Sequence, residues 1–223
     1  MKKKILSLTI GPVLVLGLIT IVLMLTMVKD SMIDEVQEAL KGTAAATLAA
    51  YDQNTGDYIE SSNGDIWKGS YNISKSESLV DRIKENSGMD VTFFYGDRRI
   101  MTSALDDNGE RILNSPAGER IVEKVLNGGE EYFSKAVSLE GELNYGYYMP
   151  VYQNGTTDQI IGMVFVGTDK KLKDAVVNKI LGSIILAVCV VMLICIVVGA
   201  KLSTSMTKNI KVSIGVVSKV ADG

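Results

Sequence analysis

Val91-Thr-Phe-Phe-Tyr-Gly-Asp-Arg-Arg-Ile-Met-Thr-Ser103 is the stretch that decides the fold of this chain. Two runs rich in β-branched and aromatic residues flank the pair Gly96-Asp97, and a two-residue loop of this kind is one of the most specific hairpin signals in a sequence. Pairing Tyr95 with Arg98 sets Phe93 against Ile100 and Val91 against Thr102 on one face. Phe94 with Arg99 and Thr92 with Met101 then take the other face, which Ser103 shares. Arg98 and Arg99 must point to opposite sides.

Moving outward, Ser74-x-x-Glu77 reads as a capping box that opens a helix from about Lys75 to Asn86, with Leu79, Val80 and Ile83 inward and Ser87-Gly88 as its stop. The segment Ser61 to Tyr71, with Asn63-Gly64 and Gly69, reads as an exposed loop carrying the single Trp, Trp67. On the other side, Ser115-Pro116 predicts a helix with Pro in its first position, apolar along Ile121, Val122, Val125 and Leu126 and ended by Asn127-Gly128-Gly129. Three more strands follow, at about Glu131 to Leu139, Leu143 to Tyr152 and Ile160 to Thr168. Five antiparallel strands with flanking helices make an α+β domain.

Farther out lie two uncharged runs. Ile5 to Val28 covers 24 residues, and Ile180 to Ala200 covers 21. At about 1.5 Å per residue, the longer run gives roughly 36 Å of helix, enough for a hydrocarbon core of about 30 Å. A cleaved signal peptide would have a shorter apolar region and a small-residue cleavage site, which Leu25-Thr26-Met27-Val28-Lys29 does not offer. The expected organisation is a cytoplasmic N-terminus (1–4), a first span (5–28), an outer domain (29–179), a second span (180–200) and a cytoplasmic connector (201–223). Charge supports that topology: the flanks hold seven Lys against Asp222, while residues 29–179 hold 16 Lys and Arg against 25 Asp and Glu, a net charge of −9. An excess of Lys marks the cytoplasmic side. Met32, Ile33, Val36, Leu40, Ala44, Leu48 and Tyr51 recur at helical spacing, so one long helix continues from the first span. Its unpaired apolar stripe predicts a homodimer.

The 223 residues contain no His and only two Cys, Cys189 and Cys195, both inside the second apolar run. His-dependent catalysis and the common zinc sites are excluded. The acidic pairs Asp106-Asp107, Glu130-Glu131 and Glu140/Glu142 fall in turns or at strand ends, so no catalysis, cofactor or metal is assigned. A net charge of −3 gives no footing for nucleic acid. What remains is a binding chemistry. Arg99 can fork two charge-assisted hydrogen bonds to a carboxylate, Ser103 adds a neutral donor and Lys135 a second positive point. Five of the nine tyrosines lie in two neighbouring strands, with Tyr145 and Tyr147 on one face and Tyr148 and Tyr152 on the other. The candidate ligand site is Arg99, Ser103, Lys135, Tyr145 and Tyr147, and the favoured ligand a small carboxylate; an amine selected by acidic residues is the alternative, which the spacing does not exclude.

Asp90-Val-Thr-Phe-Phe-Tyr-Gly-Asp97, Arg99, Thr102-Ser103, Glu130-Glu-Tyr-Phe133, Tyr145-Gly-Tyr-Tyr-Met-Pro150 and Ile161-Gly-Met-Val-Phe-Val-Gly167, in this order, resemble the single-Cache sensor domain of bacterial methyl-accepting chemotaxis receptors. The resemblance implies a PAS-like sheet that binds a small solute on one face and carries the long helix on the other. Arg111-Ile-Leu-Asn-Ser-Pro116 departs from the Gly-Thr step of that family. In the tail, Met206, Ile210, Ser213, Val217 and Val220 form a heptad seam ending in Ala221-Asp222-Gly223, which resembles the first helix of a HAMP linker, although Asn209 stands where Pro is common. The expectation is the upstream half of a longer receptor with cytoplasmic signalling partners. A sensor histidine kinase or cyclase would share this input half, and a membrane-anchored adhesion protein is the reading from a different class.

Overall fold

The structure, a computed structural model, describes residues 2–139 and 141–221; the side chains of residues 2–6, 8, 9, 210, 211 and 213–221 lie outside that description. Glu140 and the closing Asp222-Gly223 therefore lie outside the described residues, as do the side chains of Ile210, Ser213, Val217 and Val220 in the heptad seam and those of Lys2, Lys3 and Lys4. The chain divides into two compact units, one built from the residues up to Met32 with those from Val176 onward, the other from Ile33–Ala175.

The first unit consists of stretches of two long helices, α1 (Lys2–Asp52) and α4 (Lys170–Ala221). Both are long and apolar enough to cross a membrane. Large apolar side chains point outward along each, with Leu18 64% and Leu193 62% exposed. Such a surface is compatible with an apolar medium. Pro12 lies inside α1, and Gly17 leaves room for Met192, whose Sδ would lie 2.0 Å from an added Cβ.

The second unit is built on an antiparallel sheet of five strands. In chain order these are β4 (Asp90–Tyr95), β5 (Arg98–Thr102), β6 (Tyr132–Leu139), β7 (Glu142–Tyr152) and β8 (Ile160–Asp169), arranged β5-β4-β8-β7-β6. The hairpin, the three later strands and the long helix stand where the sequence predicts them. Each sheet face has its own core. On one, Leu40, Ala44 and Tyr51 of α1 pack with Phe93, Ile100, Met101, Tyr145, Tyr147 and Val166. On the other, Phe94, Tyr148, Met163 and Phe165 pack with Ala104, Ala117, Ile121, Val125 and Leu126 from the segment between β5 and β6, here called the strap.

Four local expectations change. Ser61 to Tyr71 is not a plain loop: β1 (Tyr58–Glu60), β2 (Ile66–Lys68) and β3 (Tyr71–Asn72) form a small antiparallel sheet. Strands of two or three residues carry no readable alternation, and what closes this sheet is tertiary, with the Gln153 amide bonding both the backbone N–H and C=O of Tyr58. The capping box does not form. Ser76 precedes α2 (Glu77–Ser87), and the Ser74 hydroxyl instead accepts from the Ile66 amide at 2.9 Å. Gly88 does close α2, at φ 69°.

Ile100 is a β-bulge: Phe94 pairs with Arg99, yet Phe93 pairs with Met101 and Thr92 with Thr102. The extra residue turns Met101 into the α1-side core and Thr102 onto the Arg99 side, where the sequence reading had the reverse. Pro116 starts no helix; it bridges Arg98 as an added edge of the sheet. The helix begins only at α3 (Glu119–Ile121) and continues as a π-helical turn, Val122–Asn127. With i→i+5 bonding, residues four and five apart share a face, which turns Ile121, Val125 and Leu126 together toward the sheet.

Candidate functional site

The face opposite α1 carries an arginine, a buried pair of threonines and several aromatic rings. Its platform is aromatic: Tyr148 and Phe165 lie 4.8 Å apart, and the Phe165 ring occupies space that Gly146 and Gly167 leave open. These two glycines pair across β7 and β8, and a Cβ on either would come within 2.8 Å of the ring. On the β5 side, the Arg99 guanidinium sits 5.5 Å over the Phe94 ring and donates weakly to the Ile112 carbonyl at 3.5 Å. Burial pushes the Tyr148 phenol well above its ordinary pKa, while the positive charge of Arg99 pulls the other way. Arg99 and Tyr148 therefore feel each other across the platform. Thr92 and Thr102, both fully buried, satisfy one another at 2.7 Å.

The strap is fastened over this face at named points. Arg111 donates to the Thr102 carbonyl and to Asp81 of α2, both at 2.6 Å. The Arg99 amide donates to the Ser115 carbonyl, and the Asn114 amide to the Arg99 carbonyl. The Ala117 amide closes onto Asp97 at 2.8 Å. Asp106 holds its own turn by accepting from the amides of Asn108 and Glu110, as a hairpin turn requires.

The five residues chosen from sequence do not converge. Arg99 lies on the strap side. Tyr145 and Tyr147 lie in the α1-side core, because antiparallel pairing with Thr168 and Val166 fixes their direction. Tyr147 donates to Glu131, which also holds Lys41 of α1 at 2.7 Å. Lys41 and Tyr147 together hold the Glu131 carboxyl below its ordinary range. Tyr145 donates to Asp174 at 2.6 Å and accepts from Lys170 at 2.8 Å, in the first turns of α4. Ser103 donates to Asp90 and accepts from the Val91 amide, each at 2.9 Å, because the bulge carries it to the end of β4. Lys135 is exposed where the β6–β7 register shifts. Glu131, read as a solvated strand end, is thus a link between the sheet and the stalk, the part of α1 beyond its apolar run.

Sequence reasoning passed over Ser115. Its hydroxyl is buried and has no hydrogen-bond partner. The available signal, its place beside Pro116, pointed to a helix cap instead.

No curated protein matches the chain. Among solved structures, it is similar to an extracellular ligand binding receptor from Desulfohalobium retbaense DSM5692, at 14% identity and TM-score 0.43, over 67% of this chain and 26% of that one. It is also similar to the sensory domain of the Campylobacter jejuni chemoreceptor Tlp3 (CcmL) with isoleucine bound, at 10% identity and TM-score 0.45, over 80% of this chain and 66% of that one. The chain therefore spans about a quarter of the first and just under two thirds of the second. Residues 71–180 match the model of the family Single cache domain 3, and with its long N-terminal helix on one face of a five-stranded antiparallel sheet the second unit is a PAS-like Cache domain.

Proposed function

We propose that this chain is the input module of a bacterial transmembrane chemoreceptor, in which a small extracellular carboxylate binds between the strap and the sheet. The two apolar helices pass the change to a cytoplasmic signalling part, both termini are cytoplasmic, and the receptor is a homodimer through its stalk. A sensor histidine kinase or a cyclase would use the same input half, and the output domain distinguishes them.

The observation that supports this reading is Arg99: a guanidinium over an aromatic platform, on the face away from α1 and under a strap pinned to its own backbone. In such surroundings the field of one cation is weakly screened, so a local Arg can hold a carboxylate although the outer domain as a whole is acidic. The test is thermal-shift screening of the full chain in detergent micelles against organic acids, amino acids and amines. A pocket sensor gains stability by mass action from one compound class. Arg99→Ala is expected to weaken binding of the hit about 30- to 5,000-fold, since losing one charge-assisted contact to a buried carboxylate costs about 2 to 5 kcal/mol. A screen without a hit in any class favours an adhesion role, and wild-type affinity in Arg99→Ala places the ligand elsewhere.

A further inference from the structure

Charge is distributed unevenly along the two apolar helices. Residues 1–28 and 175–221 contain no Asp or Glu, yet they carry eight Lys, and seven of these lie beyond the apolar runs on the side of the chain termini. At the opposite edge bases and acids are mixed: Asp30 follows Lys29, and Lys170 pairs with Asp174 at 3.4 Å. Lys201 and Lys208 of α4 have no acidic neighbour in sequence, and among the described residues neither forms an ion pair. Cations fixed just past a membrane span without a protein counter-charge attract an anion from the bilayer surface.

The geometry of α4 gathers these groups. Lys201, Thr204, Ser205 and Lys208 are all exposed and line one open groove, which Val197 and Ala200 continue toward the apolar run. Steps of three, four and seven residues keep side chains on one helix face. The other face of α4 packs within the helix pair, where Met192 fills the space left by Gly17 and Ser203 is buried. At about 100° per residue Ser203 lies about 20° round the helix from Met192, and Lys201 about 180°. The groove is therefore turned away from α1. Its depth also fits a lipid headgroup. The apolar run ends at Ala200, so Lys201 stands at the hydrocarbon boundary and Lys208 about 10 Å beyond it. The polar layer of one leaflet is about 5 to 8 Å thick, and a lysine stem can bend back along the helix by a similar length. Both ammonium groups thus reach the level of a phospholipid phosphate.

We propose that the groove of Lys201, Thr204, Ser205 and Lys208 binds the headgroup of an anionic phospholipid. The two ammonium groups bracket the phosphate along the helix axis, and Val197 and Ala200 lie against the first carbons of the acyl chains. The Thr204 hydroxyl already donates to the Ala200 carbonyl at 2.9 Å, so Ser205 supplies the neutral donor to a phosphate oxygen. A choline or ethanolamine headgroup brings its own cation, which offsets the phosphate and is repelled by the lysines. A headgroup of net negative charge is therefore selected, and an occupied site ties the depth of α4 to the lipid charge of that leaflet. This inference rests on the proposed membrane-spanning role of α4 and is independent of the ligand proposed at Arg99.

The experiment is native mass spectrometry of the full chain released from detergent micelles, titrated with phosphatidylglycerol and phosphatidylcholine of the same acyl chains. Phosphatidylglycerol is expected to bind at least about fivefold more tightly. A lysine beside an anionic lipid contributes a factor of about five, so Lys201→Gln and Lys208→Gln should each weaken phosphatidylglycerol about 5-fold, and the double variant about 25-fold. Ser205→Ala should weaken it about 3- to 10-fold, the size of one hydrogen bond, and Lys201→Arg should retain it. Lys219→Gln is the control: it removes the same charge about 27 Å farther along α4 and should leave the affinity unchanged. Equal binding of the two lipids, or an equal loss in Lys219→Gln and Lys201→Gln, overturns the site. Inorganic phosphate that binds the chain alone and displaces the lipid at millimolar concentration assigns the groove to a free anion and overturns the headgroup. A micelle has no sides, so these results do not depend on orientation. Labelling of a cysteine at Ser205 from outside would overturn the proposed topology and leave the lipid site standing, whereas loss of the lipid preference removes the site and leaves the topology.

Discussion

Replacing Gly162 by Ala tests the closest approach in the sheet. Gly162 of β8 pairs with Tyr95 of β4, and a Cβ there would lie 2.0 Å from the Phe94 carbonyl oxygen and 3.0 Å from its carbon. Both atoms are backbone, so no rotamer change can relieve the contact. A normal carbon–oxygen separation would require β4 and β8 to part by more than about 1 Å, a large fraction of the roughly 4.8 Å strand spacing. Overpacking of this kind costs about 1 to 3 kcal/mol, and stretched ladder bonds add about 1 kcal/mol more, against a gain of about 0.4 to 1 kcal/mol from a less flexible unfolded chain. The net loss is about 1 to 4 kcal/mol, or roughly 3 to 14 °C in melting temperature for a domain of this size. Circular-dichroism melting of the full chain in detergent reads it. Gly118→Ala is the control: Gly118 has φ −65°, and nothing lies within 4 Å of its added Cβ. Its melting temperature should equal or slightly exceed the wild type. Because Phe94 supports Arg99, Gly162→Ala should also weaken ligand binding. Equal melting of Gly162→Ala and wild type would refute the register described for β4 and β8.

The Glu131 carboxyl is held below its ordinary value of 4.5 by Lys41 and Tyr147, so the stability it contributes is fully present above that value and is lost as pH falls through the lowered one. Melting temperature recorded downward from pH 5 should therefore drop less steeply in Glu131→Gln than in the wild type; parallel curves would mean that the link is not formed. Arg111→Ala removes the bonds to Thr102 and Asp81, at a cost of about 1 to 3 kcal/mol, and should expose the strap between residues 104 and 118 to limited proteolysis; unchanged cleavage would show that Arg111 does not fasten it. For the proposed topology, a cysteine placed in Ser61 to Tyr71 should be labelled by an impermeant reagent from outside, and one at Ser205 should not. Labelling at Ser205 would overturn the orientation.

Local chemistry made much of the fold legible. Gly96-Asp97 announces the hairpin because a two-residue loop suits few other roles, and the alternation of the last three strands places them within a residue or two of where they stand. The long helix was readable from its spacing. What failed was short or depended on distant partners. Nothing near Ile100 encodes the bulge, which follows from how β5 meets β4 and then moves Met101 and Thr102 to opposite faces. Ser74 and Glu77 have the spacing of a cap, but Ser74 bonds to Ile66.

For the candidate site, sequence by itself determined the inventory: no histidine, two adjacent arginines in β5, and a concentration of tyrosines in β6 and β7. It could not say which face each tyrosine served, because pairing of β7 with β8 decides that, and two alternate tyrosines look alike until one face packs against α1. Tertiary structure sent Tyr145 and Tyr147 to Asp174 and Glu131, left Arg99 under the strap with Tyr148, and brought Ser115 beside Arg99 from a segment that local rules read as a helix start. Residue types and periods are local properties of a chain. Which polar groups end up sharing a dry space depends on strand pairing and on the path of a covering loop, and those are fixed only when the whole domain packs.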